Sequence, residues 1–541
     1  MRHPLFLQFE SFARELKGGT IQLGKWLLEN PAVSLAIAAT LYLEFISLSW
    51  RYWHDTPLML FIGDAIVNQG LSSYSEIFDM NPPGTHLFHA IIVGLLGTSD
   101  LAIRCFDLCW LTLTQLAFIA CLRRFGWAAA IFSTAIYTQT IYHFGSIDAM
   151  QREYICALPL VIAIYLALHS KFNLRLQLCG IGLLHGFILC IKPPMAISLP
   201  FLLMAMLLRD RELPPLASFH RVVLSAFASV SWPSIKLYTK LGLWLLAGFL
   251  FVPGLCAIYL AKVDSLPDFV ELGQEYWPLY AQLRGNATVR SNYFETQRFW
   301  ATLRAGQNFQ FLILFGIGAG SLPLLLRKHQ DYLFLILALL FGFSMYIFVS
   351  GKFWNYHNFP LYLVMSWIAG LALYRSRDTI YHKSQYWIMQ CLILFVFGMA
   401  WHHPEHYKPI LHGKPMPFSP DITNAAVVLR SNLKENDRVQ PLAVTGGAVQ
   451  AMLMAEARLA TSFMYDFHFY HHISHPYIQR LRKRFLFELN EAQPEFIIKT
   501  QISTWRTLGP QSGTFPELES FVRNNYRELW GSPSLIILKH N

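Results

Sequence analysis

Gly84-Thr85-His86-Leu87-Phe88-His89-Ala90-Ile91-Ile92-Val93-Gly94-Leu95-Leu96-Gly97-Thr98 is the stretch on which the topology of this chain turns. It is apolar, yet shorter than the roughly 20 helical residues that cross a bilayer core. Around it the 541-residue chain carries longer apolar runs, at about 31–50, 102–122, 126–144, 154–169, 176–191, 193–208, 241–261, 309–326, 331–350, 359–374 and 387–401. If 84–98 crossed as well, Arg123-Arg124 would fall outside and every later loop would invert. Read instead as an interfacial or re-entrant helix, it leaves Arg123-Arg124, Lys171/Arg175, Arg209/Arg211, Arg327-Lys328 and Arg375/Arg377/Lys383 all in cytosolic loops, as the positive-inside bias requires. The expectation is therefore a polytopic α-helical membrane protein of about eleven spans, with the N-terminus inside and the C-terminus outside.

Composition points the same way. The chain is 54% hydrophobic and 14% charged, where soluble domains average about 25% charged residues. The net charge of +10 comes from short basic runs between apolar spans, without the compact basic and aromatic patch that nucleic-acid binding requires. All eight cysteines lie within or beside apolar stretches, so neither a disulfide framework nor a metal-ligand spacing is expected, only buried thiol packing. Residues 1–30 mix Arg2, Arg14, Lys17 and Lys25 with apolar positions and read as a cytosolic interfacial segment. Residues 31–401 form the membrane domain, with outer loops 51–101, 145–153, 262–308 and 351–358. Residues 402–541 alternate strand-like runs (439–445, 495–500, 534–539) with helical patterns (447–458, 476–492, 516–529), and Asp421 is placed to cap a helix reaching Leu433. That is a small α/β domain outside the membrane.

A membrane chain carries few charges, so carboxylates at span ends are candidates for chemistry. Asp55 follows the first span in Trp53-His54-Asp55-Thr56-Pro57, where it is either a general base or an interfacial anchor pairing with Arg51. The stretch Pro57–Asn68 reads as amphipathic and interfacial, with Asp64 on its solvated face. Asp79 precedes Asn81-Pro82-Pro83-Gly84, whose prolines stiffen the loop. In the second loop, Asp148, Arg152 and Glu153 lie within six residues. Arg152 suits a phosphate and Glu153 an acceptor, unless the two simply close the loop as an ion pair. Lys192-Pro193-Pro194 sets a lysine at an outer turn. Lys352 and His357, with Tyr356, lie at another. His468, His471, His472 and His475 show no ligand spacing, and Asn286-Ala287-Thr288 matches a glycosylation sequon.

Taken in order, Asp55 after the first span, the Asp79-to-Gly84 step, Ala102-Ile103-Arg104 opening the next span, Gln151-Arg152-Glu153, Lys192-Pro193 and Tyr356-to-Pro360 resemble the C-type membrane glycosyltransferases. The bacterial branch that includes protein O-mannosyltransferases and lipid A aminoarabinose transferases is the one intended, over about residues 31–400. The chain departs from that pattern at Thr56, where many members have Glu, and at Asn81, where many have Lys. The resemblance implies a sugar carried on a polyprenyl phosphate and moved with inversion to an envelope acceptor (lipid, glycan or protein) on the periplasmic side of a bacterial inner membrane. It implies Asp55 and Glu153 as catalytic residues, Arg152, Lys192, Lys352 and His357 on the donor phosphate, and Asp79, Asp148 and Tyr356 on substrate. It calls for no firm cofactor, although a divalent cation is compatible with it. Two rival readings are a polyprenyl-diphosphate glycan ligase or polymerase, and a lipid or solute transporter. The transporter would place ionisable residues near the bilayer midplane rather than at span ends.

Overall fold

The computed structural model describes residues 20–142, 145–209, 232–283, 308–323, 325, 329–350, 354–374, 383–401, 419–443, 447–501 and 511–541. After a short helix, Thr20–Glu29, the bundle consists of α1 (Pro31–Ser47), α2 (Asp55–Asn68), α3 (Pro83–Leu96), α4 (Asp100–Leu122), α5 (Trp127–Tyr142), α6 (Ala157–Leu168), α7 (Leu174–Ile191), α8 (Ser198–Arg209), α9 (Trp232–Lys262), α10 (Asn308–Ala319), α11 (Gln330–Ser350), α12 (Phe359–Gly370) and α13 (Lys383–Trp401). Each of the long apolar runs carries helix, as expected where lipid leaves backbone groups no partner but one another. Among the described residues four segments, Asp100–Phe125, Leu174–Ile191, Leu241–Lys262 and Gln330–Ser350, are long and apolar enough to cross a membrane by themselves. α9 turns Leu243, Leu246, Leu250, Phe251, Leu255 and Ile258 outward, an apolar face suited to lipid. At the centre stands α12, in which every residue is buried, packed against α5, α10 and α11.

Where 84–98 was the open question, the geometry is simple. The Tyr52 amide, just past α1, donates to Asp100 at the start of α4 (3.3 Å). The chain from 52 to 100 thus leaves and re-enters at neighbouring points, with α2 and α3 packed on each other in between. α2 corrects the sequence reading in one respect: it is not an amphipathic surface helix. Thr56 through Gly63 are all buried, between α3 on one side and the C-terminal domain on the other. Asp64 is held locally by Asn68 (2.7 Å). Cysteine placement also differs in part: all eight are free and four are buried, but Cys105, Cys109 and Cys391 face outward from the bundle.

The C-terminal domain is a five-stranded sheet. Its strands are β1 (Arg438–Leu442), β2 (Arg458–Leu459), β3 (Phe496–Thr500), β4 (Tyr526–Gly531) and β5 (Leu535–His540), in the order β2-β1-β3-β5-β4. β1 runs parallel to β2 and β3, while β5 runs antiparallel to β3 and β4. Helices α14 (Ser419–Asn432), α15 (Ala448–Met454), α16 (Pro476–Ala492) and α17 (Pro516–Asn525) complete it. The helix read at 516–529 stops at Asn525, because Tyr526 onward pairs with β5 rather than continuing the helical turn. Asp421 lies inside the first turn of α14 and accepts from the Ser534 hydroxyl (2.6 Å), tying helix to sheet instead of capping.

α7 and α9 pack backbone against backbone. A Cβ on Gly182 would come 2.2 Å from the Leu245 carbonyl oxygen, and one on Gly248 would come 2.0 Å from that of Cys179. Those backbones touch only because both positions lack side chains. Gly182→Val should therefore force the helices apart at a cost of about 1–3 kcal/mol. Thermal unfolding of the purified protein in detergent checks this, with a midpoint several degrees below wild type expected.

Candidate active site

Two loops with strained backbone meet at one end of the bundle. His54, just before α2, has φ +65°, and Met150, two residues before Arg152, has φ +54°. Neither is glycine, so both conformations are uphill and are held by their surroundings. The Thr56 hydroxyl donates to the Ala149 carbonyl across them (2.7 Å, buried), clamping the first outer loop to the second. This is what the threonine after Asp55 does here.

Asp55 begins α2, with His54 Nδ1 2.9 Å from its Oδ1 and its side chain about a quarter exposed (27%). Burial works to raise its pKa, but the His54 and Arg152 charges outweigh burial and bring it below the ordinary aspartate value. Arg152 is half-buried and donates to Asn81 Oδ1, reaching from the second loop to the Pro-Pro step of the first. Glu153, the next residue, points the other way, into the bundle, and has no exposure at all. Its Oε1 receives Lys192 Nζ (2.7 Å) and the Tyr346 hydroxyl (2.7 Å), with His357 Nε2 3.6 Å away. Its Oε2 is buried with no hydrogen-bond partner among the described residues. Lys192 Nζ also lies over the rings of Tyr356 (5.9 Å) and Tyr346 (6.0 Å).

Asp79 is the most completely enclosed of these groups. One oxygen, Oδ2, takes the Asn81 amide (2.8 Å) and His86 Nε2 (2.9 Å). The other takes Asn81 Nδ2 (3.1 Å) and the Tyr465 hydroxyl (2.8 Å). Four donors fill the acceptor positions of a carboxylate, so the substrate contact expected of Asp79 from the sequence has no free oxygen to use. Burial opposes its ionisation, but the His86 hydrogen bond and charge, with the other donors, bring its pKa down to about 2.

The structure thus gathers Asp55, Arg152, Glu153, Lys192, Tyr356 and His357 into one cluster, with Asp79 directly behind Asn81. The Asp148 side chain and all of Lys352 lie outside the described residues, as does the sequon at Asn286. Two groups carried no signal in the sequence. Tyr280, from the short helix Trp277–Gln282 of the third outer loop, lies near Arg152, Asp55, Asp79 and Glu153 in one electrostatic neighbourhood, and burial pushes its phenol up to about 12. Tyr465 enters from the C-terminal domain. An isolated tyrosine is marked by neither charge nor periodicity, and only the fold shows what it touches. Beside it, His468 Nδ1 meets the Tyr276 hydroxyl (2.9 Å), and burial holds this imidazole neutral with a pKa of about 3. Among the described residues no group of three His, Cys, Asp or Glu is arranged to hold a metal ion.

No family model matches the chain, and no curated protein matches it in sequence. Solved structures do. The crystal structure of ArnT from Cupriavidus metallidurans bound to undecaprenyl phosphate aligns with a TM-score of 0.59, covering 94% of this chain and 97% of that one at 13% identity. The apo crystal structure of the same protein gives 0.58 at 12% identity over the same shares of each chain. The chain has the C-type membrane glycosyltransferase fold. The alignment takes in both the bundle and the C-terminal sheet, so ArnT shares the architecture of the whole chain and not of the helices alone.

A pH experiment isolates Asp79. Its folded pKa of about 2 lies below the unfolded value of about 3.9, so its contribution is present above pH 4 and lost as pH falls through about 2. That contribution amounts to about 2–3 kcal/mol. Asp79→Asn should therefore lower stability by about that much at pH 7, with the gap to wild type narrowing below pH 4. Denaturant unfolding at pH 7 and pH 3 measures both.

Proposed function

We propose that the chain is an inverting glycosyltransferase that takes a sugar from a polyprenyl-phosphate donor and passes it to an envelope acceptor. The observation that carries this reading is the convergence of Asp55, Arg152, Glu153, Lys192, Tyr356 and His357, from four separate segments, at one end of an apolar bundle whose fold is that of ArnT, which has been solved with undecaprenyl phosphate bound. A lipid-linked phosphate calls for cations next to an apolar surface, and the acceptor hydroxyl calls for a carboxylate within reach. Arg152 and Lys192 supply the first, with His357 behind them. Asp55, the most accessible carboxylate of the cluster and kept ionised, supplies the second as general base. Glu153 Oε2, without a hydrogen-bond partner among the described residues, is an acceptor suited to a substrate hydroxyl.

A divalent cation has no part in this reading. Each described carboxylate of the site already faces a basic group of the protein: Asp55 faces His54, Glu153 faces Lys192, and Asp79 faces His86. Mass spectrometry of envelope glycolipids and glycans, with and without the gene, should show loss of a single sugar addition rather than of whole polymers. Complementation with Asp55→Asn should restore the folded protein but not the sugar. Full restoration would remove Asp55 as the base, and an unchanged profile without the gene would remove the transferase. In membranes, EDTA should leave the rate of transfer unchanged.

The sidedness follows from the same reading. The return of the chain from Tyr52 to Asp100 supports 84–98 as a segment that does not cross, with the site and the C-terminal domain both outside the cytosol. Cysteines introduced at Glu76 and Glu491, both exposed, should react with an impermeant thiol reagent from the periplasmic side. Labelling of either only from the cytosol would break that topology.

A further inference from the structure

We propose that the C-terminal domain positions the phosphate-binding arginine, through a relay running from Tyr465 to Asp79 to Asn81 to Arg152. The proposal rests on the reading of Arg152 given above and adds to it what holds the guanidinium in place. Tyr465 lies 386 positions from Asp79 in the chain, and its hydroxyl is one of the four donors on that carboxylate. Two of the remaining three come from Asn81, one from its backbone and one from its side chain.

The chemistry fixes the direction of the relay. An ionised carboxylate only accepts, so the Asn81 amide must turn its NH₂ toward Asp79. Its carbonyl oxygen then faces the opposite way, where Arg152 donates to it. An amide free to rotate would present its NH₂ to the guanidinium half the time and repel it. The asparagine backbone is held as well: its carbonyl accepts from the Tyr74 hydroxyl (2.7 Å), and Pro82 and Pro83 follow it. Tyr465 is therefore a positioning residue. It touches no substrate, and its effect reaches the site only through Asp79 and Asn81.

The segment around Tyr465 is built to keep this contact. Phe78, next to Asp79, pairs by its amide with the Ser462 carbonyl (2.7 Å), and its ring lies 5.2 Å from that of Phe463. Arg484 of α16 donates to the Ser75 carbonyl (2.5 Å), and Gln450 of α15 donates to the Tyr52 carbonyl (2.5 Å). The domain thus holds the first outer loop at Tyr52, at Ser75 and Phe78, and through Tyr465 at Asp79 itself.

The test is binding of undecaprenyl phosphate to the purified full-length protein in nanodiscs, alongside unfolding temperature without lipid. Arg152→Ala should weaken binding at least tenfold. Tyr465→Phe, which removes one hydroxyl, should weaken it several-fold to tenfold. In the double variant the loss should equal that of Arg152→Ala alone, because the two act through one contact. A purely structural role would lower the unfolding temperature and leave affinity where it was. If Tyr465→Phe does not fold, Asn81→Ala tests the same relay from the loop side. Wild-type affinity in Tyr465→Phe or Asn81→Ala, with affinity lost in Arg152→Ala, overturns the relay and leaves the reading of the site standing. Wild-type affinity in Arg152→Ala overturns the phosphate assignment and the relay with it.

Discussion

A carboxylate with no exposure, set at the end of an apolar helix bundle, carries a heavy desolvation penalty unless the protein itself brings charge and hydrogen bonds to it, and Glu153 is in that position. Lys192 from the end of α7, Tyr346 from α11 and His357 from the turn before α12 all converge on it. Segments far from Glu153 in sequence are thereby drawn to one point. Removing any one donor would leave a buried charge underpaired, so the arrangement is held by a penalty as much as by attraction. The same logic operates at Asp79, where the converging segments are the first outer loop, α3 and the C-terminal domain. The site lies where these two demands meet.

Arg152 and Glu153 are the hinge between them. Neighbouring residues at a helix start project about 100° apart, so one can face the outer loop while the other faces the bundle. Arg152 turns to Asn81 and the Asp79 cluster, and Glu153 turns to Lys192. The sequence left open whether the two form an ion pair closing the loop or act separately on ligands, and the structure gives them different partners. The clamp from Thr56 to Ala149 and the left-handed turn at Met150 keep this orientation.

The architecture was legible because its determinants are local. Apolar length, basic loops and the change of pattern after residue 401 are read within windows of about 20 residues, and helices stand where those windows put them. The failures are also physical. α2 reads as amphipathic in isolation, but a second layer, the C-terminal domain, covers the side expected to meet water. Residues 526–529 have a helical pattern, but cross-strand pairing with β5 overrides it. Within the site, the charged residues were visible by type and position. Their partners were not, since Tyr465 to Asp79 and Tyr346 to Glu153 span 386 and 193 positions, and no periodicity encodes such pairs.

The pairing within the site bears on how it would receive a charged ligand. A phosphate entering the cluster meets cations already engaged: Lys192 with Glu153, and Arg152 with the carbonyl of Asn81. These engagements are not equal. Arg152 bonds to a neutral amide oxygen, which leaves most of its donors and its full charge for a ligand. Lys192 is spent on a full negative charge, and drawing it away would expose Glu153 to a solvation penalty. Phosphate binding therefore falls first to Arg152, with Lys192 contributing its field from where it stands. An arginine held by a neutral partner and a lysine held by an acid divide the work: one binds, the other pairs with Glu153 beside it.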